Sequence, residues 1–447
     1  MRDENADADA EELPAKSGLP PSAELLALFT IGLSSWLLVS GVFAAAVWHI
    51  DTAPEGYTLF AHLDVAVQSP NVVPALLVLT SPNDFVSRRC VPIAAALLVL
   101  GVLCAAWLTA ASDLRTSTAS IGLLIGAVAG GVVGSTSMSV FFPLAASTRA
   151  TNRVAISRSI SAVSAGVGTC GVVAQTLSGA KVSGWGYFGV LLALQLLGLL
   201  SLAALVLKRR VGAAPGCSAL AGEPTDDVAL SDATSAKSFG SESIVHAHIE
   251  SFNRVLDPFA TGAGGGATSG ASGCCYGVRP FLVRWAVRHV SGAKSAGYGS
   301  LAAICASCIL EFGMPGLLPY LGPRGDKPAL FWLTFSWAVT SVFGRALAAT
   351  RALGRRGLIA ANALQLLILV GAVACAATQS PPPLWLSLPL ILVFSILHGL
   401  VVTSVYVWAS ANGTAGTTYA GLANQGGALV GSLLTLLLVS SGLISER

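Results

Sequence analysis

Charge is scarce in this chain. Asp, Glu, Lys and Arg make up only 11% of its 447 residues, where a soluble domain carries roughly 25%. The net charge of +3 is too small for a nucleic-acid-binding surface, which draws its affinity from many phosphate contacts. Nine Cys are scattered with no pair of C-x-x-C motifs, so neither a zinc site nor a disulfide framework is indicated. Cys305 and Cys308 form C-A-S-C inside an apolar span and read as small packing residues. The chain also lacks a Walker motif, a soluble nucleotide-binding domain, paired intramembrane Asp and clustered His. These absences argue against an ATP-driven pump and against an intramembrane enzyme. No catalytic residue, cofactor or metal is expected.

What fills the chain is apolar. Hydrophobic residues reach 54%, gathered into eleven stretches: Leu25–Trp48, Leu59–Leu79, Val91–Ala111, Thr118–Phe142, Val154–Leu177, Trp185–Leu207, Gly297–Leu318, Leu330–Leu347, Leu358–Ala377, Trp385–Tyr406 and Ala420–Val439. Crossing a bilayer takes about 20 apolar residues per helix, and only helices or closed barrels satisfy the backbone in lipid. Barrel strands would be about half as long and alternating. The expectation is an all-α polytopic membrane protein with about eleven transmembrane helices. Glycine is abundant, at 48 residues without a G-X-Y repeat, as suits helices that approach closely.

The organisation follows from composition. Residues 1–24 form an acidic, polar tail, 25–207 hold six spans, 208–280 form a Ser-, Gly- and acid-rich loop, and 281–447 hold a juxtamembrane segment and five spans. The loop has too little apolar surface to order itself. Short-loop basic residues favour one side: Arg88, Arg89, Arg149, Arg153, Arg351, Arg355 and Arg356 against Arg115, Lys181, Arg324 and Lys327. The positive-inside rule then puts the amino terminus and the long loop in the cytosol and the carboxyl terminus outside.

Polar groups inside the spans point to a site, because at membrane depth they face a neighbouring helix or a cavity. Asp64, Gln68 and Asn71 share one face of the second span, as Trp36, Ser40 and Phe43 do in the first. Asp64 lies near a span end and reads as interfacial. Glu311 stands just before Gly313-Met314-Pro315, and Asn424 and Gln425 stand before Gly426-Gly427. Isolated amides such as Gln195 and Asn362 read as ties between helices, worth about 0.6–2 kcal/mol each; His398 reads as a packed residue. Pro70, Pro74, Pro315 and Pro389 fall within spans and are expected to kink them, as broken helices do along substrate paths. Arg158 and Glu311, of opposite charge in the fifth and seventh spans, are expected to pair across the bundle interface.

Several of these residues fall in blocks that resemble the eukaryotic riboflavin (vitamin B2) transporter family. Ser35-Trp36-Leu37-Leu38-Val39-Ser40-Gly41 is similar to its S-W-x-x-x-N-G, Ala53-Pro54-Glu55-Gly56-Tyr57 to its L-P-E-G-W, and Gln68-Ser69-Pro70-Asn71-Val72-Val73-Pro74 to its Q-L-A-N-x-G-P. The three keep the family's order and spacing over about 50 residues. Near the end, Ala420-Gly421-Leu422-Ala423-Asn424-Gln425-Gly426-Gly427 is similar to its A-G-V-A-I-Q-V-G. The chain departs from the family at Ser40, Phe43, Ala45, Arg158, Glu311 and Trp408. The resemblance implies a two-bundle carrier fold, six helices plus five, like that of major-facilitator and equilibrative nucleoside carriers. It implies facilitated uptake of riboflavin or a related flavin at the plasma membrane. Trp36, Ser40, Gln68, Asn71, Glu311 and Gln425 are the expected substrate-binding residues. Two alternatives stay open: another heterocyclic or nucleoside-like metabolite on the same scaffold, and a non-transporting membrane receptor. The expected partners are a small-molecule substrate and the lipid bilayer; no feature indicates an oligomeric state.

Overall fold

The computed structural model describes residues 21–80, 85–147, 153–180, 184–212, 293, 297–323, 326–411 and 413–444. Among them the regular structure is helical, without a strand, and eleven helices are long and apolar enough to cross a membrane. We number them α1 (Pro21–His49), α2 (Gly56–Thr80), α3 (Cys90–Ala111), α4 (Ile121–Ala146), α5 (Arg153–Gly179), α6 (Gly184–Gly212), α7 (Tyr298–Tyr320), α8 (Lys327–Thr350), α9 (Arg355–Ala377), α10 (Leu384–Ser410) and α11 (Gly413–Ser440). Helix α1 begins four residues before the expected Leu25, and α6 runs five past Leu207. The rest of the polar tail, the loop from 213 and nearly all of the juxtamembrane segment lie outside the described residues.

Proline places two of the breaks. Helix α2 is α-helical over Leu59–Gln68, tightens to a 3-10 turn over Ser69–Asn71 around Pro70, and resumes over Val72–Thr80. In α7 the α-helix ends at Gly313 and a 3-10 turn covers Pro315–Tyr320. Both follow from the missing proline N–H and the clash of its ring with the preceding turn. Pro389 does otherwise: α10 is continuous across it, because so near the helix start one bond is lost without interrupting the turns that follow.

The chain forms two groups, α1–α6 and α7–α11. Within the first, α1 packs on α5 and α6, and α3 on α4 and α6; within the second, α7 packs on α11 and α8 on α10. The tightest crossings are glycine-built. A Cβ on Gly32 would overlap the Val163 carbonyl and one on Gly166 the Phe29 carbonyl, so α1 and α5 meet backbone to backbone. Gly344 and Gly399 repeat the arrangement between α8 and α10, against the carbonyls of Ile396 and Ser341. Small residues allow this approach where lipid gives no hydrophobic drive for association.

The groups meet through α5–α8, α4–α11 and α2–α11. At the end near the α1–α2 loop, Lys327 Nζ reaches Asp51 Oδ2 at 2.6 Å, and the Trp48 and Phe331 rings lie 6.2 Å apart. Towards the other end, Phe142 of α4 stacks on Tyr406 of α10 at 3.9 Å and 10°, and the Ser164 and Thr403 hydroxyls are 2.6 Å apart. The two groups therefore touch on both sides of their middle. Gly166→Leu and Gly344→Leu should each abolish a monodisperse peak in size-exclusion chromatography of detergent extracts. Gly189→Leu, where an added Cβ meets open space, should leave the peak unchanged.

Candidate functional site

Between the two groups lies a cavity lined by α1, α4, α5, α7, α8, α10 and α11. Helix α1 turns Trp36, Ser40 and Phe43 into it, at the i, i+4, i+7 spacing that puts side chains on one face. Helix α7 supplies Glu311 and Phe312, and α8 supplies Trp337, Ser341 and Arg345, again spaced by four. Gly168 and Gly171 of α5 leave the room: a Cβ on the first would meet the Arg345 side chain, one on the second Ala338. Aromatic rings form much of the wall, with Trp36 to Phe312 at 5.5 Å and Phe43 to Trp337 edge-on at 6.1 Å. The cavity's space is about 80 Å³, against ~300–1,000 Å³ for pockets that hold drug-sized ligands.

The polar groups here are unevenly satisfied. Glu311 is 4% exposed and its Oε2 has no hydrogen-bond partner. Trp337 and Ser395 lie beside the carboxylate, yet Trp337 Nε1 and Ser395 Oγ close no hydrogen bond to it. Arg345 donates from Nη1 to Ser164 Oγ at 3.2 Å, while its Nε is unpartnered. No described carboxylate forms a contact ion pair with it. Trp36 Nε1 is also buried without a partner. His398 is held from behind: Ser307 gives its one hydroxyl proton to Gln365 Oε1 at 2.9 Å, so at 3.1 Å His398 Nδ1 is the donor to Ser307. That tautomer is assigned from the network. The cavity thus offers three free N–H donors against one free carboxylate oxygen, framed by rings.

Of the residues expected from the sequence, Trp36, Ser40 and Glu311 come together in this cavity. Gln68, Asn71 and Gln425 form a second polar cluster where α2 crosses α11. Asn71 Nδ2 donates to Gln68 Oε1 at 2.9 Å and to the Gln425 carbonyl at 2.8 Å, leaving Gln68 Nε2, Asn71 Oδ1 and both Gln425 amide atoms unpartnered. Gln195 and Asn362 are the helix ties expected of them, bonded to the carbonyls of Ser34 and Ala303. His398 is packed as expected, and also lines the cavity.

Three expectations fail. Arg158 is exposed while Glu311 is buried, so they do not pair; the cation that lines the same cavity as Glu311 is Arg345. Asp64 is not interfacial but wholly buried. Pro389 does not break its helix. Among the polar lining residues, Arg345, Ser341 and Trp337 are those that the sequence reading missed. The signal was present: an Arg inside an apolar span is costly and conventionally faces a bundle interior or cavity, and Ser341 and Trp337 precede it by four and eight residues on the same face.

Opposite unit charges between about 4 and 16 Å apart attract by roughly 1–4 kcal/mol at an effective dielectric near 20. Removing either Glu311 or Arg345 leaves the other buried and uncompensated, which is the expensive half-state. Glu311→Gln and Arg345→Gln should each lower the yield of folded protein severalfold in fluorescence-detected size-exclusion. The double variant should recover much of it. Losses that simply add would show that the two charges do not sense each other.

Against known proteins, residues 22–151, which hold α1–α4, match the family model "Solute carrier family 52, riboflavin transporter". No curated protein sequence matches the chain significantly. Among solved structures, the human organic anion transporter MFSD10 (TETRAN) superposes with a TM-score of 0.54 at 15% identity, covering 96% of this chain and 95% of that one. The proton:xylose symporter XylE of the major facilitator superfamily, bound to 6-bromo-6-deoxy-D-glucose, superposes with a TM-score of 0.53 at 14% identity, covering 94% and 89%. At such identities the likeness speaks for the fold alone. The chain is a multi-span helical membrane protein with the fold of major-facilitator transporters, and its first four helices match the family model of the solute carrier family 52 riboflavin transporters.

Proposed function

We propose that this carrier moves riboflavin or a related flavin across the plasma membrane by alternating access, without a cofactor. The observation that carries the reading is the match between the cavity and a flat heterocycle rich in hydrogen-bond acceptors. Aromatic rings favour offset or edge-on packing against another ring. Trp36 Nε1, Trp337 Nε1 and Arg345 Nε are free to donate, as carbonyl and ring-nitrogen acceptors require. Glu311 Oε2 is free to accept from a ring N–H. In this reading Trp36, Ser40, Glu311 and Arg345 grip the substrate, and Gln68, Asn71 and Gln425 hold the α2–α11 crossing that parts to admit it.

A second reading, another heterocyclic or nucleoside-like solute, is favoured by one observation. Of the positions where the chain departs from the riboflavin transporter pattern, Ser40, Phe43 and Glu311 line the cavity, whereas Arg158 and Trp408 are exposed. A charge introduced at the grip itself changes which solutes are accepted.

Labelled riboflavin should accumulate saturably in flavin-auxotrophic cells expressing the protein, and Glu311→Ala at normal surface expression should lower uptake at least about tenfold, equivalent to about 1.4 kcal/mol. No riboflavin uptake, with saturable uptake of a nucleoside or another heterocycle, would favour the second reading. Binding of riboflavin without its movement across the membrane would instead mark a receptor. The proposed topology has its own check: an epitope after Arg447 should be labelled on intact cells, and staining confined to permeabilised cells would reverse the orientation.

A further inference from the structure

Helix α2 holds a carboxylate that the central cavity does not use. Asp64 is 0% exposed, and neither of its oxygens has a hydrogen-bond partner. It sits at the junction of the two helix groups. Ser432 of α11 is its polar neighbour across that seam, and the Ser432 hydroxyl also reaches the Phe312 carbonyl at 3.4 Å. One turn away the fit is close: a Cβ on Gly316 of the α7 3-10 turn would press on Thr435 of α11 and touch Ala61 of α2.

The helices around Asp64 offer it no counter-charge. The α-helical part of α2 that carries Asp64 packs on α4, α11, α1 and the 3-10 turn of α7. Helices α4 and α11 contain no acidic or basic residue, and Tyr419 is the one titratable group on either. Helix α1 has Glu24 and His49 at its opposite ends, engaged by Lys208 and Arg115 respectively. The α7 turn brings Tyr320, and the helical part of α7 brings Glu311, of the same sign as Asp64. Within α2 itself, Tyr57 lies in the first turn and His62 is exposed, its Nδ1 on the Thr58 carbonyl at 2.9 Å. An ionised carboxylate shut from water without a partner is among the costliest groups to bury, and more so at membrane depth. The closed seam therefore requires something small and positive on Asp64. A divalent ion would overshoot, leaving a net positive charge in place of the negative one.

We propose that the α2–α11 seam is a binding site for one small monovalent cation, a proton or a sodium ion, held by the Asp64 carboxylate with the Ser432 hydroxyl. Asp64 belongs to one helix group and Ser432 to the other. Parting the groups here brings water to the carboxylate and frees the cation; closing them again requires one to be bound. Cation occupancy thereby gates closure at this end of the molecule. That coupling role rests on the carrier reading, but the binding itself does not, so the test uses no transported solute.

Purified full-length protein in detergent is unfolded by heat in three buffers: choline at about pH 5.5, choline at about pH 8, and sodium at about pH 8. A ligand that binds only the folded state raises its midpoint. A higher Tm in acid than in choline at about pH 8 identifies a proton, and a higher Tm in sodium than in choline at the same pH identifies sodium. In Asp64→Asn, whose neutral amide stands for the occupied carboxylate, that response should be lost. Ser432→Ala keeps the carboxylate and should retain a weakened response. A wild-type Tm equal in all three buffers overturns the proposal, and so does an undiminished response in Asp64→Asn, since it would then arise elsewhere in the protein. If Asp64→Asn gives no folded protein, Asp64→Ser takes its place under the same criteria.

Discussion

Hydrocarbon cannot solvate a polar group, so the amides, hydroxyls and charges that this chain carries at membrane depth are expected to turn inward, toward other helices or a cavity. The architecture follows from that constraint. Outward faces are left to Leu, Val, Ile and Trp, as on α9, where Ile359, Leu366, Leu367 and Val370 are all more than half exposed. The ionisable side chains Asp64, Glu311, Arg345 and His398 are all 6% exposed or less and lie along the line where the two helix groups meet. The seam between the two groups is thus also the place where the protein keeps its buried ionisable groups.

Glycine-built approaches run both within and between the groups. Within them, backbone meets glycine at α1–α5 and α8–α10; between them, Gly171 of α5 approaches the Ala338 carbonyl of α8, and Gly421 of α11 the Met138 carbonyl of α4. The groups are also joined by the Asp51–Lys327 ion pair, the Ser164–Thr403 hydroxyls, the Phe142–Tyr406 stack and the amides of the α2–α11 crossing. An ion pair as exposed as Asp51–Lys327 contributes at most about 1 kcal/mol. The breaks at Pro70 and Pro315 fall in α2 and α7, which meet at that seam.

The cavity carries both signs of charge without joining them. Glu311 and Arg345 enter from α7 and α8, and the aromatic rings of Trp36, Phe43 and Trp337 line the space between the two groups. A directly bonded pair would neutralise itself and have little left for a ligand. Two charges held apart keep free donors and an acceptor available, at the expense of stability that the surrounding helices supply.

Length and apolarity determined the helical, membrane-spanning class and the count of eleven, because crossing a bilayer sets a nearly fixed length for each helix. Proline marked the breaks in α2 and α7, and helical spacing put Trp36 beside Ser40 and Phe43. All of these are local properties, carried by residues within one or two turns of each other. Only the tertiary structure decided that Glu311 shares its cavity with Arg345 rather than with Arg158, that Asp64 is sealed in the seam rather than set at the surface, and that Gln68, Asn71 and Gln425 belong to a crossing apart from the cavity. Pairing between helices depends on how far each is rotated and how deep it sits, and that is set by which glycines let which backbones touch. A single helix's sequence gives its own apolar and polar faces but not the neighbour that a polar face will meet.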